Sequence, residues 1–483
     1  MIFKPHLYQQ HAIGFCLEKL LWTTESPAGV GLFLDPGLGK TAITLSVLTH
    51  LKALGEMSRA LVIAPRRVVT NVWPAEIDKW KFPLTHTTMR GGDRVNKGRR
   101  WTDIALINPE SLLTRREGKT KAILTPALIS ELGFDTVVVD ESTKFKSWSA
   151  ARSKELRGML RAIPKRIILT GTPSPNSLLD LHPQIYLLDE GRRLGKTVTE
   201  FHSRYCQQGA QRIGGGRTIA VWTVRPERKE DLETAISDIV LRLDAKDHLD
   251  LPPLLHNDIW VELPPQARKA YRGMEKELFA LLHSGETLTA SSAAAVYAKC
   301  RQIANGGCYD ADRRAHEIHG AKIEALDDLV EELSGKPVLV AYQFQHDLER
   351  LLKWREAPAI RGGTSDRETE KVLAGWNAGN VPLLYCQPQA MSHGLNMQMG
   401  GCRDIAWFGL TDSLEVYDQL NARVYRQGVG GQVRIHHLLA SDTVDLPIHE
   451  RLEGKSQSQT ALLDALKRYA KLEKRHLNYQ LAR

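Results

Sequence analysis

The chain has 483 residues, too many for one ordinary core, so two or three domains are expected. Its apolar fraction of 42% and charged fraction of 25% are those of a globular protein in water. No apolar run nears the ~20 residues of a membrane span, and the start, MIFKPHLYQQ, lacks the apolar core of a secretory signal.

A net charge of +9 favours a polyanionic partner only modestly over a plain solvated surface. The six cysteines, at 16, 206, 300, 308, 386 and 402, form no CxxC. They read as reduced thiols of a cytosolic compartment, and they argue against a zinc site.

Along the chain, short continuous apolar runs alternate with helical patterns. The first lobe holds GLFLD (31–35), ALVIAP (60–65), DIALIN (103–108), TVVVDE (136–141) and RIILTG (166–171). Such runs suit strands covered on both faces, and their alternation with helices implies βαβ units with parallel pairing. Residues 1–190 are therefore expected to form one α/β lobe. Residues 191–315 change character: RIGGGRTIAVW reads as a hairpin, LDLPPLLHNDIWVELPPQ is proline-marked, and 265–305 is helix-rich. This stretch is expected to be a helical insert and linker. Strand candidates resume at 337–342, 357–362, 382–387, 404–409 and 433–440, so 316–450 is expected to form a second α/β lobe. From 451 to 483, leucines at helical spacing with a basic polar face predict a helix packed on a lobe; a nucleic-acid contact there is the lesser alternative.

Two stretches carry chemistry. After the first apolar run comes PGLGKT: Pro36, Gly37, Leu38, Gly39, Lys40 and Thr41. Glycines let backbone N–H groups approach phosphate oxygens, and the helix start adds partial positive charge. Lys40 would reach the β- and γ-phosphates and the Thr41 hydroxyl would ligate Mg²⁺. The first glycine of the usual GxxxxGK[ST] is replaced by Leu34. VVVDEST (137–143) by itself reads equally as the end of a buried strand. Beside a phosphate loop, Asp140 becomes a metal ligand and Glu141 the group that polarises the attacking water.

Further motifs follow in order: LTGTPSPN (169–176) and YDQLNARVYRQG (417–428), the latter a QxxxRxxRxG with Gln419, Arg423 and Arg426. Together with PGLGKT and DES, this series resembles the superfamily-two helicases, specifically the Swi/Snf-type DNA translocases, in a compact form like phage and bacterial members. LYQQHAIGF resembles the family's Q-motif, with Gln9 at the adenine-contacting position. IAPRRVVTNVWPAEIDKW, INPESL, the LPP segment and MSHGLNMQMGGCRDIAWFG resemble its other motifs, so the likeness spans roughly residues 5–455. DEST stands where the family has DEAH or a close variant. Ser142 and Thr143 thus replace a small residue and the histidine that often links to the TGT segment.

The resemblance implies two RecA-like lobes in tandem that close around ATP and Mg²⁺. Gln9, Lys40, Thr41, Asp140 and Glu141 come from the first lobe. Gln419 and the arginine fingers Arg423 and Arg426 come from the second. It also implies a DNA-dependent ATPase that moves on duplex DNA and remodels DNA or protein–DNA complexes. A strand-separating helicase of a neighbouring branch and a hydrolysis-deficient ATP-binding scaffold are the competing readings; the intact motif residues argue against the scaffold. Candidate backbone contacts are Arg66 and Arg67, Asn108, Thr170, Thr172, Ser392 and Asn396. Thr170 and Thr172 could instead couple the ATP site to the track, and the arginine pair and KGRR (97–100) could simply be solvated. A monomer is the default expectation.

Overall fold

The computed structural model describes residues 2–90, 94–116, 119–171, 178–212, 218–283, 290–310, 312–391 and 397–453. Thr172, Ser392, Asn396 and nearly all of the helix expected over 451–483 lie outside them. The chain divides into two units, residues 1–208 with 222–250, and residues 209–221 with 251–483.

The first unit is built on seven strands: β1 (Ala28–Leu34), β2 (Ala60–Ile63), β3 (His86–Thr88), β4 (Ile104–Ile107), β5 (Thr136–Asp140), β6 (Lys165–Thr170) and β7 (Val240–Leu243). Their order is β7-β1-β6-β5-β2-β4-β3 and every pairing is parallel. All residues of β1, β2, β4 and β5 are buried, which is what continuous apolar runs between two covering layers require. Helix α1 (Leu7–Leu21) packs against β1 and against α2 (Lys40–Ala53), whose middle is buried from Ala42 to Leu48. Two further helices bear on the site, α3 (Trp73–Trp80) and α4 (Leu181–Asp189).

The main sheet of the second unit has six strands: β8 (Leu254–Val261), β9 (Val338–Ala341), β10 (Ala359–Ile360), β11 (Leu383–Cys386), β12 (Asp404–Trp407) and β13 (Val433–Ala440). Their order is β8-β13-β12-β9-β11-β10, again parallel throughout. Helices α5 (Leu414–Val424) and α6 (Asp445–Leu452) cover it near the arginine motif. A buried ion pair anchors this unit. Lys322 Nζ donates to Asp445 Oδ2 (2.7 Å), Asn305 Oδ1 (3.0 Å) and the Phe408 carbonyl (3.2 Å), so its charge is paired and its protons are used.

Both units are thus parallel α/β sheets, as the alternating runs predict, and each of the ten candidate runs contains a strand. The stretch 191–315 differs from the expected helical insert. Besides its two long helices (Pro265–His283 and Ala290–Asn305) and the two-stranded sheet of Cys206–Arg212 with Thr218–Val224, it supplies an edge strand to each main sheet, β7 and β8. Most of KGRR is helical, within Arg94–Arg99, and the buried Arg59 guanidinium donates to the carbonyls of Gly98 and Arg100, fixing the turn that follows. The six cysteines are free, and no helix among the described residues is long and apolar enough to cross a membrane.

Candidate active site

The strand order of the first unit makes a crevice by itself. β5 connects onward to β6 on one side while its neighbour β2 connects onward to β3 on the other, so the direction of connection reverses between them, and open parallel sheets bind ligands outside the carboxyl ends of strands at such a point. Register brings the motif residues level there. Phe33 pairs with Thr170 and Asp140 with Leu169, so the loop after β1 and the acidic end of β5 flank the end of β6.

Between Leu34 and α2, Gly37 (φ 94°) and Gly39 (φ 81°) take left-handed backbone that a side chain disfavours. Gly39 is also closely approached: a Cβ there would stand 2.6 Å from Gln9 Nε2. Gln9 is buried in the first turn of α1. Its Oε1 accepts from the His6 N–H (2.9 Å) and its Nε2 donates to the Leu38 carbonyl (3.2 Å). The amide therefore clasps the loop to α1. Lys40 Nζ lies back over the same loop, donating to the carbonyls of Leu34 (2.6 Å) and Asp35 (3.3 Å), while Thr41 is half-buried in the first turn of α2. Left-handed glycines, an ammonium, a hydroxyl and a helix start form the donor set that fits a nucleoside triphosphate with its Mg²⁺.

Asp140 ends β5 in a buried position. Burial pushes its carboxyl above the ordinary carboxylate range. The Trp73 indole N–H, which donates to Oδ2 at 3.1 Å, and the Lys40 charge pull the other way without reversing the shift. A buried carboxylate with a dehydration cost gains most from a divalent cation, which fits the metal role. Glu141 stands at φ 57°, ψ 58°, left-handed backbone in a residue with a full side chain. Such strain, of order 1–3 kcal/mol, is held only where the surroundings impose it, and here it turns the chain sharply just after the strand. Ser142 and Thr143 are buried, and Ser142 Oγ donates to Gln184 Oε1 (2.7 Å) on α4. Gln184 Nε2 in turn donates to the Asp180 carbonyl (2.8 Å). The acidic motif is thus tied to the helix that follows the TGTPSPN segment, through the hydroxyl of Ser142, where the family has a small residue.

Trp73 and Gln184 are site residues that sequence reasoning missed. Trp73 lies inside IAPRRVVTNVWPAEIDKW, noted only for its likeness to a family motif, and nothing local marks Gln184. Of the other candidates, Arg66 is exposed just beyond β2. Asn108 is half-buried after β4, and its amide serves its own loop: Nδ2 donates to Glu110 Oε2 (2.8 Å) and Oδ1 accepts from Ser111 Oγ (2.6 Å). Thr170 is wholly buried within β6. In the second unit, α5 carries Gln419, buried and donating to Glu415 Oε1 (3.4 Å), and Arg423, half-buried, whose carbonyl accepts from Met397 N (3.2 Å). Arg426 follows in the turn after α5, half-buried, its carbonyl accepting from Val429 N (3.1 Å).

Comparison with known proteins gives two family matches: the SNF2-related domain over residues 8–306 and the helicase conserved C-terminal domain over residues 321–428. Protein p41 of Acyrthosiphon pisum secondary endosymbiont phage 1 is 38% identical over 482 residues, covering 96% of this chain and 99% of that protein. The DNA annealing helicase and endonuclease ZRANB3 of Bos taurus is 25% identical over 448 residues, and the nuclear protein STH1/NPS1 of Saccharomyces cerevisiae is 24% identical over 463. These matches cover 90% and 88% of this chain but only 39% and 32% of those proteins, so the chain spans well under half their length. Among solved structures, the Sulfolobus solfataricus SWI2/SNF2 ATPase core in complex with dsDNA aligns at 22% identity and a TM-score of 0.43, covering 94% of this chain and 93% of that one.

Proposed function

The chain belongs to the SNF2-related family, and on that premise we propose that it is a DNA-dependent ATPase motor that moves on duplex DNA and remodels DNA or protein–DNA complexes. It is an ATP hydrolase of that family. The observation that carries the reading is the placement of the Lys40 loop and the Asp140–Glu141 turn at the ends of β1 and β5, on either side of β6.

Bound ATP·Mg²⁺ supplies the phosphoanhydride and the metal's positive charge. Backbone N–H groups of residues 37–41 and the Lys40 ammonium hold the phosphates. Thr41 and Asp140 hold the metal, and Gln9 keeps the loop seated against α1. Glu141 orients water and takes its proton. Arg423 and Arg426, on the second unit, neutralise charge spreading onto the γ-phosphoryl oxygens when the units close, an effect worth ~10³–10⁵ in rate in related enzymes. Duplex favouring that closed state would make hydrolysis depend on DNA.

A relative named as a DNA annealing helicase supports DNA as the polymer. Exposed Arg66 at the crevice rim is the leading backbone contact. Asn108, Ser392 and Asn396 are further contacts, and Thr172 a contact or a coupler. Thr170, being buried, couples the ATP site to the track instead.

The test is ATP hydrolysis with no polymer, single-stranded DNA, duplex DNA, forked DNA and RNA. The expected outcome is strong stimulation by duplex or forked DNA. Stimulation by RNA alone would refute translocation on DNA, and full activity without polymer would refute closure-dependent catalysis. Glu141→Gln should bind ATP yet lose at least ~10²-fold in kcat.

A further inference from the structure

The RIHHLL run of β13 places two adjacent histidines on opposite faces of the second sheet. His436 Nε2 reaches Asp404 Oδ1 (2.9 Å) on one face. On the other, His437 meets Asp258 of β8, its register partner, and His449 of α6. Three ligand atoms converge there. His437 Nδ1 lies 2.7 Å from Asp258 Oδ1, His449 Nε2 lies 3.0 Å from the same oxygen, and the two nitrogens are 3.2 Å apart. Among the described residues it is the one group of three such side chains whose ligand atoms come this close.

Protons alone do not satisfy this triangle. The short contact from His437 to the carboxylate needs a hydrogen on Nδ1, and that from His449 needs one on Nε2. With both in place, the 3.2 Å contact sets two N–H donors against each other. Removing either hydrogen leaves a lone pair facing the carboxylate. We propose that Asp258, His437 and His449 form a binding site for a borderline first-row divalent cation, Zn²⁺ foremost.

A cation within the triangle satisfies all three lone pairs together. Tetrahedral ligands at the ~2.0–2.1 Å of zinc bonds stand about 3.3–3.4 Å apart, so the triangle needs to open by only a few tenths of an ångström at most edges. The donor set is two imidazoles and one carboxylate, and Glu453 Oε1, 3.8 Å from His449 Nε2, stands within reach of the fourth position. Both imidazoles are buried while the Asp258 side chain is about one-third exposed (31%), which leaves an entry path. His437 presents Nδ1 to the triangle. Its second nitrogen, Nε2, is 2.7 Å from the Tyr417 hydroxyl on α5, the outer hydrogen bond that orients a metal-bound histidine. The ion would join β8, the first strand in sequence of the second main sheet, to α6, the last described helix.

The experiment titrates the full-length chain, stripped with chelator, with Co²⁺ and then Zn²⁺, without nucleotide. One Co²⁺ per chain with the visible bands of a four- or five-coordinate site is expected, displaced by Zn²⁺ and not by excess Mg²⁺. Asp258→Asn, at the exposed corner, and His449→Gln should each weaken Zn²⁺ binding by at least ~10-fold, and Tyr417→Phe by about 10–100-fold. Asp140→Asn should leave it unchanged, separating this site from the nucleotide site. No retained ion, or equal affinity in Asp258→Asn and the unaltered chain, would overturn the proposal.

Discussion

Asp140 is an acid whose place in the fold costs stability. Its carboxyl is held above the ordinary carboxylate range by burial. The fold therefore prefers the protonated form, and stability is lost as pH rises through the folded-state value. Without Mg²⁺, Asp140→Asn should melt higher than the unaltered chain at pH 7, and the gap should narrow as pH falls toward the usual carboxylate range. The same variant should lose at least ~10²-fold in ATP turnover. Calorimetric scans across pH, beside a hydrolysis assay, check both. A variant less stable than the unaltered chain at pH 7 would show that the Trp73 and Lys40 contacts outweigh burial. Lys40, Thr41, Asp140 and Glu141 were legible in sequence because a phosphate loop and an acidic strand end are contiguous motifs. Trp73 and Gln184 were not: they reach the acidic motif from 67 and 42 residues away, through hydrogen bonds that only tertiary structure creates.

The phosphate loop works as one element with α1 and α2. Gly39→Ala would force a side chain onto φ 81°, at about 1–2 kcal/mol, and drive its Cβ into Gln9 Nε2. ATP affinity should fall at least ~10-fold, and Gln9→Ala in the same chain should relieve the clash but not the backbone strain. A fluorescent ATP analogue measures both. Unchanged affinity in Gly39→Ala would refute the loop's role. Among the strands, the buried ones announced themselves as unbroken apolar runs. The three strands of the main sheets that were missed, β3, β7 and β8, carry polar or exposed residues: HTT, VLRL and LLHNDIWV. An edge strand is covered less and needs fewer apolar residues, so periodicity fades where the sheet ends. That is also why 191–315 looked like an insert.

At the scale of the whole molecule, the two units should respond separately to damage. Lys322→Ala strands the Asp445 carboxylate in the second unit's interior, at a cost of about 3–5 kcal/mol. The second unit should then unfold at lower denaturant while the first still binds ATP analogue. A single unfolding transition shifted as a whole would show that the units are energetically one. The two-lobe α/β plan was readable because alternation is a pattern along the chain. The triangle of Asp258, His437 and His449 was not, since a 179-residue separation between register partners leaves no local trace.

The seat of β7 beside β1 matters for biosynthesis. Gly31 of β1 pairs with Val240, so the strand that bears the phosphate loop is made some two hundred residues before its neighbour on that side. A nascent chain halted anywhere before residue 240 carries β1 with one flank unpaired, an apolar ribbon open to any passing strand. The sheet of the first unit therefore cannot be completed during translation until residues 240–243 have left the ribosome, and β8 must likewise wait for its register partners 179 residues later. Aggregation of truncated chains, more than of mature protein, is where this architecture is most exposed.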